Sequence, residues 1–100
     1  MRVVWTHEAE NSFNGIIDFL LTHWTYKEAD EFISLVSDVI AKIRSNPQMF
    51  KISEYDGQSR MALITKHTTM FYRIQNRVIE VEYFRGNYQD PTKLKEILRK

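Results

Sequence analysis

Cysteine is absent from this chain of 100 residues. Disulfides and thiolate metal sites are therefore excluded, which suits a reducing compartment. Glycine and proline are scarce, at three and two residues, and no low-complexity tract, internal repeat or linker interrupts the chain. A single domain over residues 1–100 is the expected organisation. Long apolar runs are missing as well. No segment approaches the roughly 18 apolar residues that span a bilayer. The opening "MRVVWTHEAE" offers only a three-residue apolar run, too short for a signal-peptide core. A cytoplasmic protein without a membrane partner is expected. An excess of one charge is also lacking: 14 Lys and Arg against 13 Asp and Glu leave +1. Proteins that live on nucleic acid usually carry a basic excess, because phosphate contacts supply most of their affinity. Only a local basic patch is compatible with this balance.

What the chain does contain is core material. Hydrophobic residues make up 43% and aromatics 13%, enough for an aromatic-rich interior. Val3-Val4-Trp5 reads as a short strand ending at Thr6, a helix N-cap. Ala9, Phe13, Ile16, Ile17, Leu20, Leu21 and Trp24 then recur as one stripe of an amphipathic helix. Glu8 and Glu10 suit the positive end of its dipole. Gly15 costs this helix about 1 kcal/mol relative to alanine. Thr25 and Glu28 fit a capping box that opens a second helix. Its stripe is Ala29, Phe32, Ile33, Val36, Val39, Ile40 and Ile43, and Asn46-Pro47 ends it. So short a connection between two stripes predicts an antiparallel helix hairpin.

After the polar loop "QMFKISEYDGQS" the period changes. "RMALIT", "TMFYRIQ" and "RVIEVEYF" predict three short strands, joined by turns at Lys66-His67-Thr68 and Gln75-Asn76-Arg77. Alternation in the last strand sends Ile79, Val81 and Tyr83 to one face and Glu80, Glu82 and Phe84 to the other. Asp90 as N-cap and Pro91 in the first turn predict a short final helix with Leu94, Ile97 and Leu98 inside. The fold class is α+β: an N-terminal strand, a helix hairpin packed on a sheet completed by an antiparallel meander, and a short C-terminal helix.

Four stretches carry a resemblance across the whole chain: "VVWTHEA", "IRSNPQMF", "RMALITKHTTMFYRI" and "VIEVEYFRGNYQDPTKL". In order and spacing they resemble the RelE/ParE superfamily of toxins from bacterial type II toxin–antitoxin systems. The resemblance implies a toxin that arrests growth, in a plasmid-stabilisation type of system, and that a cognate antitoxin neutralises. It also implies one of two mechanisms. RelE-like members cut mRNA on the ribosome, whereas ParE-like members poison DNA gyrase and cleave no RNA.

Cutting RNA through its 2′-hydroxyl needs a base, an acid and cations over the phosphate. The candidates here are Arg60, Lys66, His67, Arg73, Arg85 and Tyr88, with Arg60, Lys66, Arg85 and Tyr88 as the catalytic set if the chain cuts RNA. RNA-cutting relatives commonly carry arginines at the positions that align with Thr69 and near Tyr88. Those departures, and Glu80 and Glu82 on the presumed RNA face, favour the gyrase branch. A degenerate member that only binds antitoxin is the third reading. Arg60, Lys66 and Arg73 also have a plainer role as cross-strand partners of Glu80 and Glu82. Tyr72 and Tyr83, with Trp5 and Trp24, read as packing aromatics, and His67 as a solvated turn residue.

The corner "RGNYQD" after the last strand is the expected target-binding surface, through Arg85, Asn87 and Tyr88, because a turn there needs no such side chains. Tyr26, Phe50 and Tyr55 are the expected antitoxin anchors, although the loop could equally bury them. His7, His23 and His67 lie on separate elements, so no metal or other cofactor is expected.

Overall fold

The branched and aromatic run at the N-terminus forms strand β1 (Arg2–Trp5), and the hydroxyl of Thr6 accepts the Ala9 N–H at 3.0 Å to start helix α1 (His7–His23). Helix α2 (Tyr26–Ser45) begins at Thr25, whose backbone N–H donates to the Glu28 carboxylate at 2.9 Å. Three strands follow: β2 (Arg60–Thr65), β3 (Thr68–Gln75) and β4 (Val78–Gly86). This computed structural model describes residues 1–86. The short final helix expected from Asp90 and Pro91 lies outside them.

The sheet order is β1-β4-β3-β2. The meander is antiparallel, as its hairpins require, while β1 runs parallel to β4 with Trp5 opposite Val81. The helix hairpin carries the chain from β1 at one edge of the sheet to β2 at the other, and the meander returns it to β4 beside β1. Asn76 and Arg77 take positive φ values of 52° and 63° in the tight β3–β4 turn, the left-handed pair of a two-residue hairpin.

One sheet face packs on the hairpin. Leu20 and Ile43 are fully enclosed there with Ala62, Met70, Tyr72, Ile79 and Val81. Each such aliphatic contributes about 1.5–3 kcal/mol by leaving water. Trp5, Phe13 and Phe84 meet with ring centroids 5.2–5.4 Å apart. Both helical stripes are narrower than the periodicity suggests, since Leu21 and Ile33 are each 44% exposed.

The alternation expected in β4 breaks at Glu82. Tyr72 lies opposite Val81 but Phe71 lies opposite Tyr83, so Glu82 is an extra residue in a β-bulge. Beyond it the faces exchange. Phe84 enters the core beside Trp5 and Phe13, and Tyr83 turns to the open face, where it stacks on Phe71. The bulge is tied from both sides. Thr6 donates its hydroxyl proton to the Glu82 carbonyl at 2.7 Å, and the Phe84 N–H donates to the Ser12 hydroxyl at 2.9 Å. Helix α1 thus satisfies the part of β4 that extends past the end of β1.

Candidate functional site

The open face of the sheet carries Thr69, Phe71 and Arg73 from β3 and Glu80, Tyr83 and Arg85 from β4. Phe71 is buried although it faces away from the hairpin, because Tyr83 lies flat against it: the centroids are 4.5 Å apart and the planes differ by 8°. The Arg85 guanidinium sits 5.1 Å from the Phe71 ring centroid and 5.4 Å from that of Tyr55. A cation so placed over an exposed ring such as Tyr55 gains about 0.5–1 kcal/mol. Burial holds the Tyr83 hydroxyl above its ordinary range against the opposing pull of the Arg85 charge, so Tyr83 stays neutral near pH 7.

A second cluster lies beside this one. Arg73 reaches Glu82 at 3.3 Å and Asp56 at 3.8 Å. The Ser59 hydroxyl lies between Asp56, at 2.8 Å, and Glu82, and its single proton serves one carboxylate at a time. Asp56 also accepts the backbone N–H groups of Gln58 and Ser59, each at 2.9 Å. Those two bonds and the Ser59 hydroxyl bring its carboxyl down to about 2 from an ordinary 3.8.

Among the described residues the expected catalytic set is divided between the two sides of the sheet. Arg60 pairs across the sheet with Tyr72, on the hairpin side. Its guanidinium donates to the carbonyls of Phe50 at 2.7 Å and Gln48 at 3.3 Å, not to Glu80 or Glu82. Tyr72 donates to the Pro47 carbonyl at 2.7 Å, and burial raises its hydroxyl above the usual tyrosine range. Both side chains therefore hold the chain as it leaves α2. Lys66 is exposed in the β2–β3 turn, at the end of the sheet where Thr68 pairs with Gly86, and so shares an end with Arg85. His67 is half-buried in that turn rather than solvated. Arg73 has the plain role expected of it, as the partner of Glu82. Asn87 and Tyr88 lie outside the described residues.

The three expected antitoxin anchors also separate. Tyr26 stands 77% exposed at the start of α2. Phe50 is half-buried edge-on against Tyr72, with centroids 6.4 Å apart. Tyr55 is as exposed as Tyr26 but faces Arg85. Sequence reasoning missed this Tyr55–Arg85 juxtaposition and the Asp56–Ser59–Arg73–Glu82 cluster. No local signal reports either, since the loop residues Tyr55, Asp56 and Ser59 lie 14 to 30 residues from their sheet partners Arg73, Glu82 and Arg85. A separate apolar groove runs between α2 and the β1 end of the sheet, lined by Trp5, Phe13, Ile33, Val36, Ser37 and Ile40.

Among the described residues no three His, Asp or Glu side chains gather as metal ligands, and no helix is long and apolar enough to cross a membrane. No curated protein sequence matches the chain. Two solved structures are similar to it in fold. A YoeB/ParE toxin from Agrobacterium tumefaciens shares 18% identity at a TM-score of 0.63, over 88% of this chain and all of that one. A chromosomal ParDE toxin–antitoxin system from P. aeruginosa shares 17% at 0.63, over 86% and 95%. The model of the family described as ParE toxin of type II toxin–antitoxin system, parDE, matches residues 3–87. With that match across nearly the whole fold, the chain belongs to the ParE toxin family of type II toxin–antitoxin systems.

Proposed function

We propose that this toxin arrests growth by binding a protein target, DNA gyrase, through the Arg85 end of the open sheet face, and that it does not cut RNA. The observation that carries the reading is the engagement of Arg73 by Glu82 and Asp56. An arginine held between two carboxylates is a poor clamp for a phosphate chain, because the site already has its counter-charges. Arg60 is on the other side of the sheet, and Thr69, opposite Arg85, stands where RNA-cutting relatives carry a cation. Arg85 and Lys66 then remain at the working end, with Asn87 and Tyr88 following in the chain.

The antitoxin is proposed to cover the apolar groove of Trp5, Phe13, Ile33 and Val36 with an amphipathic segment, and to use Tyr26 as a second anchor.

Mapping transcript 5′ ends minutes after inducing the chain alone in a bacterial host tests the mechanism. Arrested cells with intact transcripts are expected, together with inhibition of gyrase supercoiling by the purified protein. New ends clustered within translated codons would overturn the reading. Replacing Arg85 and Tyr88 by alanine is expected to abolish arrest and gyrase inhibition together.

A further inference from the structure

Rings, not acceptors, position the Arg85 guanidinium. It lies 5.1 Å from the Phe71 centroid and 5.4 Å from that of Tyr55, and it forms no ion pair with a carboxylate among the described residues. Both rings have a firm base. Phe71 is buried beneath Tyr83. Tyr55 stands on a loop that closes on itself, where Ser53 donates its backbone N–H to the Ser59 carbonyl at 2.6 Å and Gly57 donates to the Ser53 carbonyl at 2.9 Å. Gly57 has φ +68°, the left-handed value this reversal needs. A bridge between Ile52 and Arg60 fixes the loop to β2.

Arg85 and Tyr55 are both exposed to solvent. A depression of about 550 Å³ opens beside them, lined by Lys51, Glu54, Tyr55, Met61 and Arg85. Met61 begins the cross-strand row Met61–Phe71–Tyr83, so the floor on that side is apolar. The neighbouring charges cancel in place. Lys51 meets Glu54 at 3.7 Å, and Arg73 meets Glu82 and Asp56. Arg85 is the one lining cation without a carboxylate partner among the described residues. The surface thus presents a single uncancelled positive charge, oriented by two rings, next to an apolar floor.

We propose that this depression receives one acidic side chain of a partner protein: an Asp or Glu carboxylate pairs with the Arg85 fork, and an apolar residue beside it in the same segment packs on Tyr55 and Met61. The proposal rests on the reading of Arg85 as part of the working surface and names the group that surface takes. A carboxylate matches better than a phosphate chain. One negative charge meets one free cation, whereas a phosphate chain brings a charge at every step and meets Glu54, Glu80, Glu82 and Asp56. The apolar floor likewise suits a side-chain neighbour. An exposed ion pair ordinarily contributes little, because two long side chains must be ordered to form it. Here the rings already orient the guanidinium, so less freedom is lost when the acceptor arrives.

Two labelled polymers test this without gyrase: poly(Glu,Tyr), a random copolymer with carboxylates beside aromatic rings, and poly(U). Fluorescence polarisation measures their binding to the purified chain at physiological salt. At equal anionic charge, poly(Glu,Tyr) is expected to bind more tightly than poly(U). R85A is expected to weaken that binding several-fold, and R85K nearly as much, because an ammonium cannot present the fork. Y55A should weaken it as well, whereas R77A, on the exposed β3–β4 turn, should not. Absent binding of poly(Glu,Tyr), or poly(U) bound as tightly, would overturn the carboxylate assignment. An R85A chain that binds like the unaltered one, or an R77A chain weakened as much as R85A, would overturn the site. Full binding by R85K would overturn the fork, and full binding by Y55A the part given to the ring. Gyrase inhibition by the same R85A protein is read separately. Inhibition lost while copolymer binding is unaltered strikes this proposal and leaves the gyrase reading; the converse strikes the gyrase reading and leaves the carboxylate site.

Discussion

Phe71 and Tyr83 stack almost parallel on the open side of the sheet, 4.5 Å apart, although an unbroken alternation in β4 would have put Tyr83 among the core residues. The extra residue at Glu82 turns Phe84 inward in its place. Truncating the two aromatics should therefore have unequal effects. F84A is expected to destabilise the protein by about 3–5 kcal/mol, as large-to-small changes of buried aromatics do. Y83A, which loses one stacked pair, is expected to cost about 0.5–1.5 kcal/mol beyond its lost burial. Urea denaturation of both variants checks this, and the reverse order would contradict the bulge.

Tyr72 and Arg60 fasten the exit of α2 by donating to carbonyls of Pro47, Phe50 and Gln48. Y72F keeps the ring and loses the bond to Pro47, at a cost of about 0.5–1.5 kcal/mol. R60A is expected to lower stability while leaving growth arrest intact at permissive temperature, since its side chain is on the hairpin side of the sheet. Thermal unfolding paired with a growth assay separates the two effects. Arrest lost in a folded R60A protein would reinstate Arg60 as part of the site.

Arg73 and Glu82 have side chains only 32% and 19% exposed. Removing one partner leaves the other charge half-desolvated, so R73A and E82A are each expected to cost about 1–3 kcal/mol. The double variant should recover part of that loss, and a double-mutant cycle measures the coupling. A coupling of zero would mean that water replaces the partner freely.

Asp56 gives the Ser53–Ser59 loop a pH dependence with a definite sign. Its carboxyl titrates at about 2 in the fold against an ordinary 3.8, so the charged form is preferred in the closed loop. The stabilisation is complete above 3.8 and is lost as pH falls towards 2. Amide exchange at Gly57 and Ser59 is expected to lose protection across that window at a temperature where the core remains folded. D56N, without a titrating carboxyl, should show no such step there.

The elements themselves were legible because each carries a local signal. Thr6 and Thr25 start the helices, Asn46 ends the second, and the left-handed pair Asn76-Arg77 closes the last hairpin. The face of a residue was legible only while the period held. Phe84 was misassigned because a bulge inserts one residue without changing composition, and period-2 reasoning cannot detect the insertion. The face of Arg60 was not legible for a related reason: it depends on pairing with Tyr72, and pairing is not written in β2 alone. The candidate site was partly legible. Arg85 could be singled out as an exposed cation at a strand end, but its partners Tyr55 and Phe71 could not.

By itself, then, the sequence determined the α+β class, the helix hairpin, the meander and the family, since periodicity, caps and turns act over a few residues and depend little on context. The tertiary structure alone decided which side chains share the open face. That outcome depends on strand register, on one bulge at Glu82, and on a loop brought back across the sheet by Asp56 and Ser59. These are long-range pairings whose free energy appears only once the chain has closed, so no local pattern along it can report them.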